Sequence, residues 1–152
     1  MAVSSAKTTV TADELPALLV GIHVRARNLG RVFAAEAGFL LRRSPDTVRA
    51  PNVALVAAER LGTEEIPASF LELAPDLAVE VVSPGDSAAA VRGKIQDWLA
   101  AGTRLSWVVY LESRSAVAHR QGYAPETRSE EDTLSGVPVL GDFTVRVQEL
   151  FT

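Results

Sequence analysis

Hydrophobic residues concentrate in two short runs, VALVA at Val53–Ala57 and LAVEVV at Leu77–Val82, and both predict strands. The second is apolar nearly throughout, as expected of a strand covered on both faces. Each run has one polar residue set against the pattern. Asn52 stands just after Pro51, and Glu80 lies between Val79 and Val81. RLSWVVYL, residues 104–111, predicts a third buried strand. Between the last two, Asp86 or Ser87 supplies the cap of a helix running to about Ala101, with Gly102 as its stop. Strand, helix, strand with short links makes a parallel crossover unit.

The flanking segments complete a mixed sheet. Thr11 and Glu14 have capping-box spacing, and Pro16 suits the first turn of the helix that follows. Leu18, Leu19, Ile22 and Ala26 share a helical stripe predicted to be its buried face, and the segment from Asn28 to Gly30 is the stop. His23 beside that stripe is expected to be a partly exposed structural histidine. RVFAAEAGFLL gives one or two strands before the RRSPD turn, and residues 59–72 give a loop or short helix. SAVAHR is an expected antiparallel neighbour of the 104–111 strand. The polar stretch GYAPETRSEEDTLSG is an exposed edge, and DFTVRVQELF ends in a strand with one helical turn. The expected architecture is a single α/β domain over residues 11–152, with a flexible tail over residues 1–10.

Within the 86–101 helix, Val91, Ile95, Trp98 and Gly102 form the stripe that should face the sheet. Lys94 falls on the same side, three residues after Val91 and four before Trp98. A lysine there either snorkels to an edge or meets an anion, and Glu80 on the preceding strand is the obvious anion. A carboxylate inside a buried strand is costly unless paired or metal-bound. One explanation is a structural Glu80–Lys94 ion pair. The other is a phosphodiesterase site, with the carboxylate on Mg²⁺ and the lysine orienting water or stabilising developing charge.

Composition narrows these choices. The chain has 152 residues, 47% hydrophobic and 22% charged, which suits one globular core. The absence of cysteine excludes disulfides, thiolate zinc sites and a cysteine nucleophile. A net charge of -4 gives no sign of a nucleic-acid binder. Arg25, Arg27, Arg31, Arg42, Arg43 and Arg49 bias the N-terminal third toward positive charge, which suits solvated surface better than a phosphate footprint. VVSPG is not a nucleophile elbow, and His23 and His119 have no evident triad relation to Ser83. No glycine-rich phosphate loop occurs. Trp98 and Trp107 suit the core better than base stacking. MAVSSAKTTV lacks signal-peptide character, and ALLVGI is too short to span a bilayer, so the expected location is cytoplasmic.

The blocks PDLAVEVVSPGDS, KIQDWLAAGTRLSWVVY and LGDFTVRVQELF closely resemble a large bacterial family described as putative restriction endonucleases, formerly a domain of unknown function. The resemblance runs from about Gly30 to Thr152. It implies a restriction-endonuclease-like PD-(D/E)XK core, a mixed β-sheet flanked by helices. In that fold two carboxylates and a backbone carbonyl bind Mg²⁺ or Mn²⁺, and a lysine assists. Carried onto this chain, the Pro-Asp pair falls at Pro51 and Asn52, the second acid at Glu80 and the carbonyl at Val81. Val82 occupies the position of the usual lysine, and Lys94 from the following helix matches the family's substitute. Glu36 is a further acidic candidate.

Two departures stand out. Asn52 offers a neutral amide where the pattern has an aspartate, which removes one negative charge from the metal site. The family's N-terminal hairpin is missing between TADELPALL and GIHVRARNLG, and His23 does not match the family's histidine. That deletion would leave a sheet edge for a partner chain to cover. A homodimer acting on DNA, with no membrane association, is the implied assembly. Three function classes follow: a metal-dependent endonuclease, a non-catalytic relative used for assembly, regulation or nucleic-acid binding, and an unrelated small-molecule enzyme.

Overall fold

The computed structural model describes residues 14–34, 37–61 and 70–151. In chain order these form α1 (Leu15–Arg27), β1 (Gly30–Phe33), β2 (Gly38–Arg42), β3 (Thr47–Arg49), β4 (Val53–Ala57), α2 (Ala58–Leu61), β5 (Phe70–Leu71) and β6 (Leu77–Val82). There follow α3 (Ala88–Ala100), β7 (Leu105–Tyr110), β8 (Ser115–Arg120), β9 (Glu126–Arg128), β10 (Thr133–Ser135), β11 (Thr144–Arg146) and a closing 3₁₀ turn, Val147–Leu150. The tail at residues 1–10, the Thr11 end of the capping box and Glu36 lie outside the described residues.

Among the described residues, the main sheet has the order β1-β4-β6-β7-β8-β9. β6 and β7 pair in parallel from Leu77↔Leu105 to Val82↔Tyr110, and α3 makes the crossover. β4 and β8 flank them antiparallel, so the sheet is mixed as the sequence predicts. Ser87 caps α3 by accepting the Ala90 N–H at 3.0 Å. Gly102 ends the helix at φ 107°, a left-handed geometry suited to glycine.

Alternation along β6 splits the core in two. Ala78 faces α3 with Ala54, Val56, Ile95, Trp98 and Val108. Leu77 and Val79 face the other way, toward Val20, Val24, Trp107, Leu140 and Leu150. Both tryptophans are fully buried, which agrees with their expected core roles.

Of the stripe that spacing suggested on α1, only Leu19 packs against the core. Leu18 and Ile22 are 46% and 57% exposed, and Ala26 is exposed as well. The buried face is Pro16, Val20, His23 and Val24. His23 is the reason: its Nε2–H donates to the Leu140 carbonyl at 2.7 Å, and its Nδ1 accepts from Arg27. The ring also meets Phe143 edge-on at 4.7 Å. The histidine is structural, as expected, but buried rather than partly exposed. Asn28, at φ 52°, closes the helix where predicted. No helix among the described residues is long and apolar enough to cross a membrane.

Asp76, at the entrance to β6, is a structural acid that sequence patterning passed over. Its side chain is 4% exposed, Oδ2 accepts the Ala57 N–H at 2.7 Å, and Oδ1 accepts from Arg104 at 3.1 and 3.2 Å. Arg60 contacts Oδ2 at 3.0 Å. Removing the carboxylate leaves a buried N–H without an acceptor, while the half-exposed arginines can turn to water. Asp76→Ala is expected to lower folding stability by about 2 kcal/mol. Asp76→Asn should lose less, because its amide oxygen can still accept from Ala57. Urea titration checks both.

Candidate functional site

Glu80 sits in the middle of the sheet because β6 is paired on both sides and its alternation turns residue 80 toward α3. The residue is only 5% exposed. One carboxylate oxygen, Oε2, accepts the Trp98 indole N–H at 2.9 Å. The other, Oε1, faces Lys94 Nζ at 3.9 Å, a pairing distance too long for a direct hydrogen bond. Lys94 is 42% exposed, so its ammonium is solvated while its partner is not. Burial pushes the Glu80 carboxyl above its ordinary value of 4.5. Trp98, then Lys94 and Arg49, pull it back, and Asp86 pushes it further up.

Asn52 reaches the same place by a different route. The β4–β6 ladder ends at Val53↔Val79, just short of the residue pair that would involve Glu80. Beyond it the Asn52 side chain takes over: Oδ1 accepts the Val81 N–H at 2.9 Å. The amide thus extends the ladder by one bond after the backbone has turned away at Pro51. The donor's identity fixes the orientation of the amide, since only the oxygen can accept. The structure therefore brings Glu80 and Lys94 together and ties Asn52 to the next residue, Val81.

The site also contains groups that spacing alone did not select. Arg49, at the end of β3, donates to Asp97 Oδ2 through Nε at 3.0 Å and Nη2 at 2.8 Å. Asp97 follows Lys94 by three residues on α3, which places both on one helix side. That spacing was readable, but the partnership with a residue 48 positions away was not. Next to Glu80 along the sheet, Val82, Val91 and Tyr110 help line a cavity of about 330 Å³ at the carboxyl ends of β6 and β7. Asp86, Arg92 and Glu112 give it polar walls.

Other candidates stay apart. Ser83 is exposed, its N–H donates to Asp86, and among the described residues no hydrogen bond joins it to either histidine. Burial holds His119 below 6.5. A larger cavity of about 590 Å³ lies by β8, β9 and β10, but Arg120, Glu126 and Arg128 on its wall are paired with one another. It offers little to the small-molecule reading.

As a metal centre the donor set is lean. No group of three or more His, Cys, Asp or Glu that could hold a metal ion occurs among the described residues. Among the described residues, Oε1 of Glu80 makes no close hydrogen bond and Asn52 Oδ1 accepts only from Val81, which leaves it a second lone pair. This fits a Mg²⁺-type ion that takes few protein ligands and fills its shell with water and substrate phosphate. It does not fit an all-protein cage.

Comparison with known proteins gives two findings. The family model Uma2, described as "Putative restriction endonuclease", matches residues 1–148, which extends the likeness upstream of Gly30. Solved structures that match include a "putative nuclease belonging to DUF820 from Anabaena variabilis ATCC 29413". It has a TM-score of 0.78 and 19% identity, over 92% of this chain and 78% of that one. At that identity the likeness speaks for the fold, and it agrees with the restriction-endonuclease-like α/β core expected from sequence. No curated protein matches the chain.

Glu80 makes stability depend on pH in a definite direction. Its pKa is raised on folding, so the folded chain holds this proton more tightly than the unfolded chain. The group's contribution is most favourable below 4.5 and declines as pH rises through its folded pKa. Glu80→Gln keeps an oxygen for Trp98 and has no charge to desolvate. Urea unfolding of both chains, from pH 4.5 upward, should show the variant gaining on the natural chain as pH rises. A constant difference would mean that burial does not burden the carboxylate.

Proposed function

The chain belongs to the Uma2 family of putative restriction endonucleases, and from that premise we propose that it is a metal-dependent endonuclease. Glu80, Asn52 and the Val81 carbonyl would hold Mg²⁺ or Mn²⁺, with Lys94 beside them. The supporting observation is the meeting of a buried acid and a solvated amine, 3.9 Å apart, on a strand whose next residue is tethered by Asn52. A metal bound there would polarise a phosphate oxygen and lower the pKa of water.

The chain's own side chains supply the rest. Trp98 fixes the Glu80 carboxylate by one oxygen and leaves Oε1 pointing at the reaction space. Oε1, the oxygen that Trp98 leaves free, is the one that would meet the cation. Lys94 can orient a water lying beside the Oε1–Nζ pair, and its ammonium offsets charge building on the phosphoryl oxygens. The cleft beyond Val82 gives room for the substrate strand. A cytoplasmic homodimer belongs to the same reading, since one site cuts one strand and DNA has two.

A second reading is favoured by the amide at residue 52. With a single carboxylate in the set and the Asn52 oxygen already serving Val81, the fold can persist as a non-catalytic module for assembly, regulation or nucleic-acid binding. Calorimetric titration with Mn²⁺ and Mg²⁺ separates the two. The endonuclease reading expects weak binding by the natural chain, tightened about tenfold, or about 1.4 kcal/mol, in Asn52→Asp. It also expects plasmid cleavage that Glu80→Gln abolishes. Binding confined to Asn52→Asp, with no cleavage by the natural chain, favours the second reading. Cleavage that survives Glu80→Gln removes the site.

A further inference from the structure

Glu80 belongs to a cluster of charged side chains whose arrangement deepens the proposed function, on which this inference rests. Glu80 faces Lys94, and Asp97 holds Arg49 by two N–H groups on one oxygen. With Asp86, whose charge also reaches Glu80, the cluster carries one net negative charge. An aspartate at residue 52 would double that charge and strengthen the repulsion of a phosphate in the absence of metal. With Asn52 that added repulsion is absent.

Arg49 is built to use the opening. It is 35% exposed, and Asp97 is 24% exposed, so the pair lies at the rim rather than in the core. Asp97 takes the Nε and Nη2 side of the guanidinium. Among the described residues, Nη1 has no hydrogen-bond partner. A guanidinium anchored on one edge presents the other as a rigid fork suited to phosphate oxygens. Its position is set from two directions: β3 delivers it three residues before Asn52, and Asp97 anchors it to the helix that carries Lys94 and Trp98. Its charge is also felt at Glu80.

We infer that Arg49, positioned by Asp97, contacts a DNA phosphate beside Glu80 and Lys94, and that this capture does not require the metal. The charge missing at residue 52 makes phosphate binding less dependent on metal binding. With an aspartate there, the site would lean more heavily on the cation before a phosphate could settle.

The test is fluorescence anisotropy of a short labelled DNA duplex with the natural chain in EDTA, repeated over a range of KCl concentrations. Binding is expected without divalent metal. In Arg49→Ala, the slope of log affinity against log salt should become shallower by about 0.9, the loss of one phosphate contact. Arg49→Lys keeps the charge and should keep the slope, while losing the fork and about tenfold in affinity. It also serves where the alanine variant folds poorly. Asp97→Asn should weaken binding with the slope unchanged. Tighter binding by Asp97→Asn would mean that Asp97 only neutralises Arg49, and would remove its positioning role. An unchanged slope in Arg49→Ala overturns the contact while leaving the proposed function standing. Binding that appears only with Mg²⁺ overturns metal-free capture. No binding under any condition would sink the nucleic-acid reading itself.

Discussion

The desolvated carboxylate of Glu80 is the constraint around which the rest of the molecule is arranged. A charge in a strand paired on both edges must find compensation from above or below the sheet, and here its two nearest partners come from α3, with a further pull from Arg49 of β3. The indole N–H of Trp98 takes one oxygen and Lys94 approaches the other. Neither returns the group to its aqueous proton affinity, so burial prevails over the partners. A carboxyl kept reluctant to ionise is an inefficient way to hold a fold together.

The residue leading into the same strand is a second acid with the opposite assignment. Asp76 is as buried as Glu80, yet it is surrounded by donors: a backbone N–H from β4, one arginine from α2 and one from the loop before β7. It closes the entrance of the β6–β7 pair, where its carbonyl also receives the N–H groups of Arg104 and Leu105. Two carboxylates four residues apart thus differ in role because one is saturated with donors and the other is not. Asn52 shows the complementary economy. Its oxygen does the work of a backbone carbonyl at the end of a ladder, a task that either an amide or a carboxylate could perform.

Much of this was legible from residue order. The central strands, the α3 helix with its cap and stop, and the inward direction of Lys94 follow from periodicity, because those segments are buried and their neighbours are close in sequence. The stripe on α1 misled. Leu18 and Ile22 have the right spacing, but a polar residue, His23, found a carbonyl 117 positions away, and that distant partner decided which face turned inward. Arg49 and Asp97 escaped for the same reason. Each resembles ordinary surface charge until the fold brings them together. The Asp76 cluster left a faint signal, an acid before one buried strand and an arginine before its parallel neighbour.

Every helical group that addresses the site is drawn from a single turn, Lys94 through Trp98. The neighbours of those residues on the same face, Val91 and Ile95, are packed into the core. Turning α3 by one residue, about 100°, would carry the indole, the ammonium and the arginine's anchor away together. The aliphatic packing of the helix therefore acts as an index pin: hydrophobic contacts that touch no substrate set the phase of the polar ones, and the centre is assembled as a unit or lost as a unit.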